Sequence, residues 1–553
     1  MDPKPGGERT RFHSVFIFAS LLVGLVILHI SLLRLPYFWD EAGYYVPAAH
    51  DLLESGSLIP YSTPSNAHPP LVMAYLAVCW KIAGYAPVVT RMSMLGLAAF
   101  SLLGLFRLAR RVANTKVAIA SVFCTALYPV FFSQSSLAQV DLTVAGLTFW
   151  ALLAYVEDRP WLTTLWFSLA VLAKETAILA PATLCLFELV ETFLLIRKSW
   201  DADFKVGDLN AILRNRLSRV WVLALPLLPL LCWYAYHRLR TGFTFGNPEF
   251  FRYNVQATMH PLRILLALIM RIWQVTGYMN LYVLTFVAIA AMWLSPRLSS
   301  SANGAKTNAQ NRRPRIELRT QFVFLSLIAV YALAMAVIGG AVLARYMLPV
   351  VPLEMIICVS TLWRRVPIWY GVIGLVLAAF AVGLFVNPPY GFSFEDNLAY
   401  RDFVIIHQHA EALLQERYPT ARVLTAWPAT GEITQTRLGY VNRPMQVLPI
   451  DNFTVDELAA ASAMRSRFDV ALVFSTKYQP PHPLLENWAA WGKLKSEYFG
   501  YHQDLHPLEA ARVLGGQVVY SENRNGQWIA VIDTQSVQSA SIAEPRENRL
   551  ARH

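Results

Sequence analysis

The sequence is poor in charged residues. Only 15% of its 553 residues are Asp, Glu, Lys or Arg, whereas 55% are hydrophobic and 13% are aromatic. Soluble globular domains carry about 25% charged residues, so this composition argues against a soluble fold. The aromatic content suits membrane interfaces, where Trp and Tyr rings lie at the level of the lipid headgroups. The composition therefore predicts a protein that crosses the membrane several times.

Cysteine and internal repeats are also scarce. No repeated or inverted pair of segments is visible, which argues against a transporter built from two related halves. The cysteines stand in apolar stretches at no metal-ligand spacing, so they predict small packed side chains and exclude a disulfide framework. They are Cys79, Cys124, Cys185, Cys232 and Cys358.

Positive charge is in excess, with a formal net charge of +11. The basic residues cluster in short loops between apolar runs, as expected for loops that stay in the cytoplasm and face anionic lipid headgroups. We therefore expect the lipid bilayer as a partner and no nucleic acid.

Long apolar runs fill the first two thirds of the chain. The first run, about Ser14 to Leu35, is too long for a signal-peptide core and is interpreted as a retained first span. Together the runs predict a polytopic α-helical membrane domain over residues 1–386 with about eleven transmembrane helices. Residues 36–87 are predicted to form an extracytoplasmic loop with interfacial helices. Within it the apolar run Leu71–Gly84 is about 14 residues, too short to span.

The composition changes after Val386. Residues 387–535 predict an extracytoplasmic α/β domain, because helical and strand-like segments alternate along them. The tail 536–553 is polar and predicted to be disordered. The segments with strand character are Arg422–Trp427, Met445–Ile450, Asp469–Phe474, Gln517–Tyr520 and Gln527–Ile532.

Isolated charges in or beside the apolar runs are the candidates for function. A charged residue at membrane depth costs about 2.5–3.5 kcal/mol, so each one needs a reason. The predicted topology places the Asp40-Glu41 pair, His68, Asp141, Lys174 and Arg345 at the outer interface, and Arg91 stands at the start of the second span. Each also has a structural alternative: a solvated loop, a packing histidine, a helix cap, an ion pair or a headgroup anchor. The residues are Asp40, Glu41, His68, Arg91, Asp141, Lys174 and Arg345.

Their order along the chain carries a family resemblance. Asp40-Glu41 follows the first span, His68-Pro-Pro-Leu71 opens the interfacial helix, and Arg345-Tyr-Met-Leu-Pro349 stands near the late spans. In this order, over roughly Arg11 to Val386, the chain resembles the C-type membrane glycosyltransferases (GT-C). It is most similar to the protein O-mannosyltransferases and the bacterial aminoarabinose transferases of lipid A.

The resemblance implies a glycosyltransferase of the bacterial inner membrane with its active site on the extracytoplasmic side. It implies a polyprenyl-phosphate-linked sugar as donor and a glycolipid, glycan or protein as acceptor. Asp40 matches the family's catalytic acidic position and Asp141 a second functional acidic position, and Glu41 stands beside the first.

The chain departs from the family just before the paired prolines. The aminoarabinose transferases have Glu-Lys there, whereas this chain has Ala67-His68. The donor phosphate would then be bound by other residues, for which we consider His68, Lys174, Arg345 and Arg91. No cofactor is required, but some enzymes of this superfamily use a divalent metal cation. The residues that could hold one are Asp40, Glu41, Asp141 and His68.

Elementary chemistry supports these roles. A carboxylate within reach of the acceptor hydroxyl can remove its proton, and a buried cation stabilises the departing phosphate. Displacement at the anomeric carbon predicts inversion, and Asp40 would position the acceptor instead if that acceptor were already anionic. The rival functions are a secondary transporter or lipid flippase and a receptor whose last domain binds a ligand.

Overall fold

The computed structural model of the protein describes residues 7–200, 206–297, 313–480 and 488–535, which divide into two compact units. The membrane unit comprises Met1–Arg34, Tyr44–Val386 and Glu395–Asn397. The C-terminal unit comprises the remaining segments, Leu35–Gly43, Asn387–Phe394 and Leu398–His553. The tail 536–553, for which disorder was predicted, lies outside the described residues.

The membrane unit is built from α-helices. Many of them begin with a proline in the first turn, where its fixed φ suits the helix and its missing N–H costs no hydrogen bond. The α-helices are Gly7–His29, Val46–Ser55, Leu71–Ala83, Pro87–Val112, Thr115–Leu127, Pro129–Gln134, Asp141–Val156, Pro160–Ala173, Leu179–Trp200, Val206–Ala224, Leu227–Thr241, Pro248–Asn254, Pro261–Thr276, Leu281–Ala291, Leu318–Val337, Val351–Arg365 and Trp369–Phe385.

Within the described residues, six helical segments are long and apolar enough to cross a membrane. Further apolar helices are shorter, among them Asp141–Val156, Pro160–Ala173 and Trp369–Phe385. The polytopic helical fold is confirmed, and the number of about eleven spans stays a prediction. The six segments are His13–Leu32, Pro87–Val112, Glu175–Arg197, Arg216–Thr241, Pro261–Ala291 and Leu318–Val337.

Large apolar side chains on the long helices point away from the protein. Phe16, Phe193, Leu228 and Phe286 are all more than half exposed. Water would disfavour such a surface, whereas lipid tails accommodate it, so these helix faces fit a bilayer. Helix Leu71–Ala83 has 13 residues, as the length of its apolar run predicts, and is too short to cross by itself.

The C-terminal unit contains a five-stranded mixed sheet. The strands are β1 (Arg422–Ala426), β2 (Gln446–Ile450), β3 (Val470–Phe474), β4 (Gln517–Arg524) and β5 (Gln527–Asp533). Their spatial order is β2-β1-β3-β5-β4. The strand β1 pairs in parallel with β2 and β3, whereas β5 runs antiparallel to β3 and β4. Each strand overlaps one of the apolar runs from which it was predicted, although β4 continues four residues beyond the predicted end at Tyr520.

Helices Ala399–Arg417, Ala429–Thr434, Val455–Ser462, Ala489–Phe499 and Pro507–Leu514 complete this unit. The unbroken apolar run of β3 is buried throughout, as is typical of a central strand covered on both faces. The sequence predicted a boundary at residue 386 alone. By compactness, Leu35–Gly43 also belongs to the C-terminal unit, although these residues follow the first span.

Candidate active site

Three of the predicted site residues meet in the membrane unit. The Nζ atom of Lys174 lies 2.7 Å from Oδ1 of Asp141, and Nε of Arg345 lies 3.3 Å from Oδ2 of the same carboxylate. All three side chains are buried. Residues separated by 33 and about 200 positions thus share one ion-pair network, which the sequence suggested only by placing each charge at the same interface.

Local structure explains how each of these charges reaches the network. Asp141 is the first residue of helix Asp141–Val156, and the residue that caps this helix is Val140, so Asp141 is not its N-cap. Lys174 is the residue at which helix Pro160–Ala173 ends in extended backbone. Arg345 lies in the short 3₁₀ turn Ala344–Met347. Breaks between helices therefore supply the charges.

A second carboxylate extends the network. Glu395 accepts a hydrogen bond from Nη1 of Arg345 at 2.6 Å and another from the side-chain amide of Gln139 at 2.9 Å. The amide oxygen of Gln139 also accepts from Arg345. Arg345 is thereby held between two carboxylates, Asp141 and Glu395, in a fixed orientation. Neither Gln139 nor Glu395 was predicted.

Cations surround the ring of Tyr346. The Lys174 Nζ atom lies 3.9 Å from the ring centroid, and the guanidinium carbons of Arg271 and Arg345 lie 5.5 and 5.6 Å from it. Each distance falls within the range of a cation–π contact. The ring thus brings together three positive charges that would otherwise repel one another.

Arg271 is a further residue of this site that was not predicted. Its side chain is fully buried and donates to the carbonyls of Leu343 and Met335 and to the side-chain oxygen of Gln274. These acceptors are neutral, and among the described residues Arg271 forms no ion pair with a carboxylate. Its Nη2 atom is buried without a hydrogen-bond partner.

A sequence signal for Arg271 did exist. The segment from Leu262 to Val275 is an apolar run interrupted by two arginines, Arg263 and Arg271, which lie eight positions apart and so on similar faces of a helix. No helix was predicted over this segment, whereas the structure forms helix Pro261–Thr276 there. An arginine inside an apolar helix is by default a candidate for function.

His68 lies in an aromatic pocket of the membrane unit. Its Nδ1 atom is 3.0 Å from Oε2 of Glu175, and its ring contacts those of Tyr44, Tyr45 and Phe250 at centroid distances of 5.6–5.9 Å. Glu175 follows Lys174 directly, but each of the two side chains contacts a different partner. A single break between helices thus supplies His68 with an anion and Asp141 with a cation.

The backbone before His68 is strained. Ala67 has φ 56°, a left-handed conformation that costs a residue with a Cβ about 1–3 kcal/mol. Its carbonyl accepts a hydrogen bond of 2.8 Å from the indole of Trp233, which helps to hold the conformation. Strain of this kind persists where the surroundings impose it, often at functional sites.

Arg91 is buried and donates to the carbonyl of Ser136 at 2.9 Å. That carbonyl belongs to the segment between Gln134 and Asp141, so Arg91 helps to shape the chain that presents Gln139 and Asp141. The structural alternative of a headgroup anchor does not fit a side chain this deeply buried. Phosphate binding by Arg91 stays a prediction.

Asp40 and Glu41 belong to the C-terminal unit by compactness. Glu41 is fully buried, and its Oε2 atom accepts a hydrogen bond of 2.8 Å from the backbone N–H of Phe38, which closes the turn that carries Asp40. Trp39 has φ 47° and packs against Trp427 at a centroid distance of 4.7 Å. Asp40 is half-buried. A loop held this firmly is not a merely solvated one, and the turn gives Glu41 a positioning role.

Two of the predicted metal ligands are engaged by other side chains. Asp141 is occupied by Lys174 and Arg345, and His68 by Glu175. Within the described ranges, the one group of His, Cys, Asp or Glu side chains close enough to hold a metal ion is in the C-terminal unit. It consists of His407, Glu411 and Glu432, none of which was predicted.

Arg271 differs from the other two cations around Tyr346 in its contacts. Lys174 and Arg345 are paired with carboxylates, whereas Arg271 bonds neutral acceptors and has an unused donor. Buried charges are stable when they are paired and hydrogen-bonded, so a buried guanidinium with an unused donor favours an anionic ligand. A guanidinium is well suited to phosphate oxygens, which it binds with two parallel N–H groups.

Comparison with known proteins gives a consistent result. The sequence profile of the family described as dolichyl-phosphate-mannose-protein mannosyltransferase matches residues 67–205, well under half of the chain. No curated protein matches the sequence. The apo crystal structure of ArnT from Cupriavidus metallidurans superposes with a TM-score of 0.50 at 13% identity, covering 97% of this chain and 100% of that one.

Two further solved structures are similar. ArnT of the same organism bound to undecaprenyl phosphate gives a TM-score of 0.49 at 13% identity and covers 96% of this chain and 99% of that one. The oligosaccharyltransferase AglB from Archaeoglobus fulgidus, in complex with an inhibitory peptide and a dolichol-phosphate, gives 0.39 at 12% identity, with 93% and 74% covered. The ArnT match over the whole chain confirms the resemblance, and the protein therefore has the fold of the C-type membrane glycosyltransferases.

Proposed function

We propose that the protein is an integral-membrane glycosyltransferase that moves a sugar from a polyprenyl-phosphate donor to an extracytoplasmic acceptor. The observation that carries this proposal is the group of three buried cations around Tyr346, among which Arg271 has an unused donor. The fold and the mannosyltransferase profile over residues 67–205 support the same class of reaction.

The donor phosphate is bound by Arg271 together with Lys174 and Arg345. A phosphate monoester or diester carries at least one negative charge at neutral pH, and in a low-dielectric site this charge interacts strongly with fixed cations. Lys174 and Arg345 already share Asp141, which keeps them in place before the donor arrives. Phosphate binding by His68 and Arg91 stays a prediction; His68 pairs with Glu175, and Arg91 bonds the carbonyl of Ser136.

Asp40 is the proposed base or positioning group. It stands directly after the strained Trp39 in a turn closed by Glu41, and it matches the catalytic acidic position implied by the family resemblance. A carboxylate fixed by its backbone loses little entropy on engaging the acceptor, which favours catalysis. Asp141 acts through its ion pairs and positions the two cations, although the resemblance also marks it as functional.

The proposed step is a direct displacement. An acceptor hydroxyl oxygen attacks the anomeric carbon while the bond between that carbon and the phosphate oxygen breaks. The hydroxyl proton passes to Asp40, and the electron pair leaves with the phosphate, whose charge Arg271 stabilises. Attack from the opposite face inverts the anomeric configuration. The divalent cation considered for Asp40, Glu41, Asp141 and His68 stays a prediction, and no step proposed here passes through it.

The location follows from the same reasoning. We place the protein in the bacterial inner membrane with the site and the C-terminal unit on the extracytoplasmic side. Loops rich in Lys and Arg favour the cytoplasm, and the predicted topology puts the site at the other end of the spans. The donor's apolar chain would lie among the lipid-facing helices. The acceptor is a glycolipid, a glycan or a protein.

The test compares Asp40→Asn with the wild-type protein in membranes that contain lipid-linked sugars. The measured quantity is the polyprenyl phosphate released per minute, and the expected loss is about 100-fold or more, the usual contribution of a general base. Asp451→Asn removes an exposed carboxylate of the C-terminal unit and serves as the control. Full release by Asp40→Asn would reject Asp40 as the base. Sugar-lipid translocation without release by the wild-type protein would instead indicate a flippase.

A further inference from the structure

A cluster of three titratable side chains is buried in the C-terminal unit, apart from the site described above. His407 and Glu411 lie one turn apart on helix Ala399–Arg417, and Glu432 lies on helix Ala429–Thr434. Residues four positions apart share a helix face, so the two side chains point to the same place. All three are fully buried.

The three side chains converge on one point. The Nδ1 atom of His407 is 2.7 Å from Oε2 of Glu432 and 3.7 Å from Oε1 of Glu411. One oxygen or nitrogen atom of each residue lies within 4.8 Å of those of the other two. Ligands at about 2.0–2.2 Å from a tetrahedral zinc ion are about 3.4 Å apart, so small side-chain movements would suffice to coordinate one.

Unused polar atoms also point to a ligand. Both carboxylate oxygens of Glu411 are buried with no hydrogen-bond donor facing them, as is Oε1 of Glu432. The surroundings are apolar, since the His407 ring stacks on Phe403 at 3.9 Å and meets the edge of Phe474 at 4.6 Å. Two carboxylates buried in such a place cost several kcal/mol each unless a cation or a proton neutralises them.

We propose that His407, Glu411 and Glu432 bind one divalent transition-metal cation of the zinc type. The charge of such an ion equals that of two carboxylates with a neutral imidazole. Imidazole nitrogen favours zinc over magnesium or calcium, which take oxygen ligands and keep several waters that this dry place does not admit. A carboxylate that binds through both oxygens supplies the fourth position.

The ion would have a structural role. It joins the long helix Ala399–Arg417 to the short helix Ala429–Thr434, which is only six residues long and follows β1 closely. A short helix has little stability of its own, so a metal bond to Glu432 would fix it against the sheet. The proposal is independent of the proposed glycosyl transfer, and its test requires no activity measurement.

The experiment measures zinc in the full-length protein purified in detergent from cells grown with zinc chloride. We expect one zinc ion per chain in the wild-type protein and at least a tenfold lower content in the Glu411→Gln, Glu432→Gln double variant. The control is the His409→Gln, Glu522→Gln double variant. It removes a His–Glu pair joined at 3.0 Å, with His409 on the same helix as His407 and Glu522 on β4, and should retain the metal.

X-ray absorption of the wild-type protein keeps the proposal testable if the cluster variant does not fold. The expected spectrum shows only nitrogen and oxygen ligands near 2.0–2.1 Å, with the outer-shell signal of one imidazole. Sulfur ligands would place the zinc at cysteines and overturn the proposal. A wild-type protein that contains less than a tenth of an equivalent of zinc would overturn it as well, and the cluster would then share a proton.

Discussion

Replacing Arg271 with leucine is expected to weaken the binding of undecaprenyl phosphate, chosen as a representative polyprenyl phosphate, by about 10- to 150-fold. The estimate comes from the unused Nη2 donor. A hydrogen bond to a charged group contributes about 1.5–3 kcal/mol, and each 1.4 kcal/mol changes a dissociation constant tenfold. Arg271 forms no ion pair with a carboxylate within the described residues, so its Nη2 donor is available to an anionic ligand.

The assay compares two lipids by native mass spectrometry of the detergent-purified protein. Undecaprenyl phosphate carries the anion, and undecaprenol has the same chain without it. Arg271→Leu should lose affinity for the phosphate and keep affinity for the alcohol, because the apolar chain binds elsewhere. Arg252→Leu, which removes an exposed arginine of helix Pro248–Asn254, is the matched control and should bind both lipids as the wild type does.

A second substitution separates binding from folding. Arg271 also holds the carbonyls of Leu343 and Met335, so Arg271→Leu leaves buried acceptors without donors and lowers stability. Arg271→Lys keeps the charge but cannot make the same set of bonds, and it should retain part of the phosphate preference. If both lipids lose affinity equally, or if neither does, the proposal that Arg271 binds phosphate is wrong.

Three further predictions concern stability and reactivity. Asp141→Asn leaves the cation of Lys174 without its carboxylate and should destabilise the protein by about 3–5 kcal/mol. Thermal unfolding should show a smaller loss in the Asp141→Asn, Lys174→Met double variant, and a larger loss there would contradict the ion-pair reasoning. Burial lowers the pKa of Lys477 to about 8. The rate at which acetic anhydride labels Lys477, measured by peptide mass spectrometry, should therefore rise with a midpoint near pH 8. A midpoint above pH 10 would refute the lowered pKa. Ala67→Gly relieves the backbone strain at a φ of 56° and should leave the free energy of unfolding within about 1 kcal/mol of the wild type. Ala67→Val should lower the free energy of unfolding clearly. Equal effects of the two substitutions would argue against strain at this position.

Much of the fold could be predicted because it depends on local patterns. Each strand of the C-terminal sheet is a short apolar run bounded by polar residues, and the sheet formed at those runs. Helix Leu71–Ala83 followed from the length of its apolar run. Local patterns do not show which strands pair, and the antiparallel β5 between β3 and β4 depends on contacts between distant residues.

The site was predictable only in part, for a physical reason. Asp141, Lys174 and Arg345 were recognisable as charges at the edges of apolar runs, where a charge is unusual. Glu395 was not, because it lies in a polar stretch where a carboxylate needs no explanation. The buried cluster in the C-terminal unit was missed for the same reason: its histidine and glutamates are ordinary polar residues of two separate helices until the fold buries them.

Arg271 differs from the other cations because it lies within a helix, and its neighbours explain how the fold tolerates it. The segment between helix Leu318–Val337 and the turn at Ala344 is not helical, so its carbonyls need donors. Arg263 bonds the carbonyls of Gly339 and Gly340, the amide of Gln274 bonds that of Val342, and Arg271 bonds that of Leu343.

The polar face of helix Pro261–Thr276 thus satisfies an unwound stretch of backbone in the membrane unit. Structure alone would be served by neutral donors such as glutamine, which carry no charge to desolvate. Burying a guanidinium at position 271 costs more desolvation free energy than burying a neutral amide that could bond the same carbonyls, and it leaves one donor unused. The additional cost is understandable if the remaining donor and the charge act on an anion, which is the role that the comparison of the two lipids tests.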